Sequence, residues 1–254
     1  MNYLKNNIDK GGAIKIISEK IKLGEPFLFT RFGDGEVWLL KKEVNSTRIN
    51  RIIKEWGVNK ANYTHFVDKI NKDLIESFNE SDLIGLMGDN YNDYGIPGLP
   101  IEEWRITLNL CDKLGLKTNG NITDHLLCRS NELGNVHNFA KILNKKPLHI
   151  ISPNTEILKS KGIDKILDCD ITYTKIERNP NTVIHNREEL IKRLSNVKEN
   201  VVIFGTGAGG KFIGTYLKKN HNKICLDFGS TLDAWANIIS RGWFNTTQKH
   251  LKII

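Results

Sequence analysis

Apolar residues at Ile14, Ile17 and Ile21 recur at helical spacing and stop at Gly24 and Pro26, so the chain is expected to open on a helix over 13–21. Pro26 to Arg31 reads as a short buried strand, Phe27-Leu28-Phe29, that leads into the turn-forming Gly33-Asp34-Gly35. Helical patterns follow at 37–41, 47–56 and 65–78, then a buried strand over 82–87. Residues 91–100 concentrate Asn, Asp, Tyr, Gly and Pro, which predicts an irregular loop suited to binding substrate. After a helix over 102–114, strand-like segments alternate with helical ones. The strands are predicted at 122–128, 148–151, 171–176, 201–204 and 224–227, and the helices at 131–143, 155–167, 187–194, 210–219 and 230–239.

Such alternation with short connections predicts an α/β fold: a Rossmann-like, largely parallel sheet flanked by helices, with ligands at the carboxyl ends of the strands. A chain of 254 residues with 39% hydrophobic content can bury one sizeable core, and no linker or repeat interrupts it, so a single domain over 1–254 is expected.

Charge adds a preference for anions, because Lys and Arg outnumber Asp and Glu by 37 to 29. The basic residues are dispersed and lack interleaved aromatics, which argues against nucleic acid as a partner. Cys111, Cys128, Cys169 and Cys225 form no Cys-x-x-Cys pair, so neither a zinc site nor a disulfide framework is expected. No His-x-x-x-His spacing and no Gly-x-Ser-x-Gly elbow occurs, which removes the usual zinc and serine hydrolase signatures. Residues 1–22 lack the apolar run of a signal peptide or membrane span, and a cytoplasmic protein is expected.

Two segments carry candidate chemistry. In Arg31-Phe32-Gly33-Asp34-Gly35-Glu36, Asp34 and Glu36 lie two residues apart on a glycine-flanked turn, close enough to share a magnesium or manganese ion or a ribose-diphosphate ligand. Arg31 can make a charge-assisted contact to phosphate, and Gly33 lets backbone approach a ligand. A plain turn capping the following helix accounts for the same residues. The second segment is Gly205-Thr206-Gly207-Ala208-Gly209-Gly210, between a buried strand and a helix, where backbone amides can cradle phosphate. With Asp227 at the end of the next strand, it formally matches a dinucleotide fingerprint and keeps an NAD(P)-dependent oxidoreductase open as an alternative. Lys211 is followed by Phe212 rather than Ser or Thr, which departs from a P-loop.

Taken together, Thr30 to Glu36 and Cys225 to Trp235 resemble the bacterial glycosyltransferases of the GT-D fold, in the order and spacing of their Asp-x-Glu and Asp-aliphatic-Gly segments. Cys128-Arg129-Ser130 is similar to that family's Ser-Arg segment, and Lys175 to Asn181 to its nucleotide-side loop. The chain departs from the better-known branch at Phe32 and in the less acidic stretch from Phe228 to Asp233. The resemblance implies a nucleotide-sugar transferase in which Glu36 and Asp34 organise a divalent metal, Mn2+ or Mg2+, and the donor diphosphate. It also implies that Gly205, Thr206, Gly207 and Gly209 line the nucleotide, with Arg129 nearby. The expected reaction moves a hexose or N-acetylhexosamine from a UDP-sugar to a glycan, glycoprotein or lipid-linked acceptor. A non-catalytic nucleotide-sugar-binding protein is the other alternative. Asp233, one turn into the last helix, is a candidate general base, and Asp89 a second. Trp235, Trp243 and Phe244 are candidates for sugar stacking or for peripheral contact with the inner membrane face. An oligomer is compatible with all of this.

Overall fold

The computed structural model describes residues 8–42, 46–56, 60–86, 116, 120–124, 126–178, 183, 185–238 and 251. Seven parallel strands form one sheet: β1 (Phe27–Phe32), β2 (Leu83–Leu86), β3 (Asn121–Asp124), β4 (Leu148–Ser152), β5 (Ile171–Lys175), β6 (Val201–Phe204) and β7 (Ile224–Asp227), in the order β3-β2-β1-β7-β6-β4-β5. The chain winds outward from β1 to β3, crosses to β4 and β5, and returns through β6 to lay β7 against β1. The order therefore reverses between β1 and β7, where an open α/β sheet leaves a crevice outside its carboxyl ends.

Alternate residues on these strands feed cores on opposite faces, which is why they read as continuous apolar runs. Phe27, Phe29, Val201, Ile203, Ile224 and Leu226 pack on one face. Helix α1 (Lys10–Leu23) covers them with α5 (Val136–Leu143), α6 (Thr155–Ser160), α7 (Ile163–Leu167) and α10 (Ser230–Trp235). Leu28, Val202, Phe204 and Cys225 face the other side, beneath α8 (Arg187–Leu194) and α9 (Lys211–His221). Phe32, Ile84 and Leu86 continue that side under α2 (Asp34–Leu40), α3 (Ser46–Trp56) and α4 (Tyr63–Glu80).

Several boundaries differ from the sequence pattern, among them the helix expected over 230–239, which ends at Trp235. The helix expected over 155–167 is two, because Gly162 adopts φ 65° between α6 and α7. The strand expected over 122–128 ends at Asp124, and Leu127–Arg129 is a 3-10 turn. Asn135 caps α5, with its side chain accepting from the amides of His137 and Asn138, so that helix starts later than residue 131. The loop over 91–100 and the helix over 102–114 lie outside the described residues. No described helix is long and apolar enough to cross a membrane.

One histidine makes the fold sensitive to acid. His149 on β4 is buried between the hydroxyls of Thr172 (2.6 Å) and Thr174 (2.9 Å) on β5. Burial pushes its pKa down to about 4, outweighing Glu199 at 3.7 Å. Above the unfolded value near 6.5 the ring is neutral in both states. As the pH falls from there towards 4, only the unfolded chain takes the proton and stability is lost, by roughly 3 kcal/mol in full. Melting curves at pH 7.5 and 4.5 should differ by less in a His149→Gln variant than in the wild-type chain.

Candidate functional site

The crevice is built from the ends of three strands. Beyond β1, Gly33 opens α2. Glu36 caps that helix by accepting from the Gly33 amide through Oε2 at 3.1 Å, so the plain capping role is real. Its Oε1 faces Lys211 Nζ at 3.5 Å. Asp34 is the first residue of α2, and its side chain lies outside the described residues.

Lys211, the first residue of α9, is 2% exposed. Its ammonium donates to the Arg31 carbonyl at 2.5 Å and to Asp227 Oδ2, and sits 5.8 Å from the centre of the Phe32 ring. Asp227, which ends β7, also accepts from the Arg31 amide at 3.2 Å, with Arg31 Nε 3.6 Å from its other oxygen. Burial alone would push the Asp227 carboxyl up. Lys211 and Arg31 outweigh it and hold the group below the usual carboxylate range. Asp227, which completed the formal dinucleotide fingerprint in the sequence, is thus held by protein cations. Its side chain is 3% exposed and engaged by two cations, so it organises the crevice floor.

Glycine is required where β7 turns into α10. Gly229 adopts φ 50°, and a Cβ there would overlap the Arg31 guanidinium. Arg129 is brought to the same corner: its NH2 donates to Ser230 Oγ at 3.2 Å, while Thr231 donates to the Cys128 carbonyl at 3.1 Å. In the turn after β6, Gly207 is exposed at φ 59° with open space beside it, Thr206 and Gly209 are buried, and Gly205 lies close against the Gly229 carbonyl. Gly207 is thus the open point of the turn.

Asp233 lies one turn into α10. Its Oδ1 accepts from Asn154 Nδ2 at 2.5 Å and faces Arg178 NH2 at 3.7 Å. Arg178 also donates to Asn154 Oδ1 at 3.3 Å, so the ends of β4 and β5 orient this carboxylate. Trp235 is corrected: it is fully buried against Phe139 and Phe228 and donates to the Gly134 carbonyl at 2.7 Å, so it offers no face to a sugar or membrane. Asp89, Trp243 and Phe244 lie outside the described residues, as do Pro180 and Asn181 of the expected nucleotide-side loop.

Sequence reasoning missed Lys211, Asn154 and Arg178 as site residues. A lysine followed by Phe212-Ile213, directly after a buried glycine turn, was a usable signal, because Asp227 in a buried strand needs a counter-charge.

Among the described residues, no group of three or more His, Cys, Asp or Glu is placed to hold a metal. Glu36 still fits a divalent cation. Its side chain is 15% exposed against 3% for Asp227, and magnesium or manganese commonly takes one or two carboxylates with the rest of its shell from phosphate and water.

In open parallel α/β sheets, a switch point with cationic side chains and a glycine turn is the usual place for a phosphate-bearing ligand. The chain belongs to the GT-D-like family: the model of the GT-D fold-like domain matches residues 9–235. It is similar to a selenomethionine-substituted structure of domain of unknown function 1792, at 16% identity and TM-score 0.59, covering 91% of this chain and 81% of that one. A second structure is described as the highly conserved domain of unknown function 1792 with a distinct glycosyltransferase fold. It aligns at 15% identity and TM-score 0.55, covering 90% of this chain and 85% of that one. No curated protein matches the chain. The fold is thus the GT-D glycosyltransferase fold anticipated from the two motif segments, and it supports a glycosyltransferase in general.

Proposed function

We propose that the chain transfers a hexose or N-acetylhexosamine from a UDP-sugar to a glycan, glycoprotein or lipid-linked acceptor, with a divalent cation, in the β1/β7 crevice. The carrying observation is that Glu36, Arg31, Arg129 and the Gly205 to Gly207 turn, distant in sequence, meet around Gly229 and Lys211. In this reading the open turn at Gly207 receives the diphosphate, and Arg129 adds charge at its flank. Glu36, with Asp34, would hold the cation, which supplies charge neutralisation for the departing diphosphate. Asp233 accepts the proton of the acceptor hydroxyl as its oxygen bonds to the anomeric carbon, and the bond to the donor phosphate breaks with its electron pair leaving on UDP. Asn154 and Arg178 keep that carboxylate oriented. Cytoplasmic placement, with a lipid-linked acceptor met at the inner membrane face, belongs to the same proposal.

The test is a panel of nucleotide sugars with Mn2+, scored for binding by calorimetry and for donor hydrolysis. UDP-sugars are expected to bind and to be turned over. Binding without turnover in the presence of acceptors would leave a sensor. Binding of NAD(H) or NADP(H) with no nucleotide sugar bound would replace the proposal with an oxidoreductase.

A further inference from the structure

The ammonium of Lys211 is the positive charge that the structure places beside Glu36. It reaches Asp227 Oδ2 and the Arg31 carbonyl and stands 3.5 Å from Glu36 Oε1. At 2% exposure it is buried there against Asp227 and the Arg31 carbonyl. Among the described side chains, Arg31 and Lys211 lie against Asp227 and Glu36. The described charges around Glu36 therefore leave no surplus of negative charge to draw in a bare divalent ion, whereas a diphosphate brings one.

We propose that Lys211 makes divalent-cation binding conditional on the nucleotide: its charge shields Glu36 until the diphosphate arrives, so cation and nucleotide enter as a coupled pair. Lys211 is in this sense a positioning residue, acting through Glu36. The inference rests on the donor-site reading above. It adds that free metal is refused by design of the charge set, and that removing one buried cation would open the site to metal alone.

The experiment titrates Mn2+ alone into the protein and follows the free ion by electron paramagnetic resonance, without and with saturating UDP. Mn2+ held by UDP itself is subtracted from a protein-free titration, and UDP binding is read separately by calorimetry. The wild-type chain should bind Mn2+ at least roughly tenfold more tightly with UDP than without. Lys211→Met should bind Mn2+ more tightly than wild type in the absence of UDP, and a further Glu36→Gln change should remove that gain. Lys211→Arg, which keeps the charge, should preserve the wild-type coupling. A merely structural lysine would instead weaken every binding event on removal.

Equal Mn2+ affinity with and without UDP in the wild-type chain would overturn the proposal, as would a folded Lys211→Met variant that binds Mn2+ no better than wild type. If circular dichroism shows that variant unfolded, the wild-type coupling together with Lys211→Arg decides. Failure of UDP to bind in calorimetry would sink the donor-site reading itself, and this inference with it.

Discussion

Replacing Glu36 by Gln is expected to cut metal-dependent donor turnover by roughly a hundred- to a thousandfold, the scale seen when one preorganised electrostatic group is removed from a reacting centre. The substitution is nearly isosteric, and the amide oxygen of Gln can still accept from the Gly33 amide that Glu36 now caps. Helix α2 should therefore start as before, and stability should change by no more than about 1 kcal/mol. What disappears is the negative charge facing Lys211 and available to a cation. Initial rates across a Mn2+ series, with a urea melt of the same preparation, separate the two effects. An unchanged rate with an unchanged melt would remove Glu36 from the chemistry, and unchanged hydride transfer to a nicotinamide would favour the oxidoreductase reading.

Asp227→Asn should act on the fold itself. The carboxylate is buried between Lys211 and Arg31, and taking away its charge leaves two buried cations with Glu36 as the partner they share. Breaking a buried pair in this way costs about 3–5 kcal/mol. In a domain of this size that corresponds to a melting point lowered by roughly 10 °C. A double variant, Asp227→Asn with Lys211→Met, should recover part of the loss, since the second change removes the stranded charge. The pH dependence has a definite sign. Because the folded-state pKa of Asp227 is depressed, its contribution is present above the ordinary carboxylate range and lost as pH falls through the lowered value. The variant should therefore lose less stability than wild type between neutral and acidic pH.

The strands of the sheet centre could be read from the chain because buried parallel strands are apolar on both faces: 201–204 and 224–227 match β6 and β7, and the strand expected over 26–31 is β1 displaced by one residue. Glu36 and the Gly205 turn were legible for a related reason, since a turn's chemistry is set by its own residues. The crevice floor was legible only in part. A buried Asp227 called for a counter-charge, but only the pairing of β1 with β7 brings the Arg31 carbonyl and Asp227 together around Lys211. Asp233 was a candidate from its place in the last helix, but the groups that orient it come from beyond β4 and β5. Trp235 shows the converse limit: an aromatic near a motif suggests stacking, and packing against Phe139 and Phe228 decides otherwise.

The pairing of β1 with β7 also sets when the protein becomes whole during synthesis. Arg31 and Asp227 are 196 residues apart, so while the ribosome makes the intervening chain, one edge of β1 has no strand to bond. Helix α1 and strands β2 and β3 can gather early, yet the central edge waits for almost the last strand, a long-range closure of the kind that slows folding. A nascent chain stalled before Ile224 would carry an exposed apolar strand edge and no β1/β7 crevice, making the interval before β7 emerges one in which chaperones matter to it.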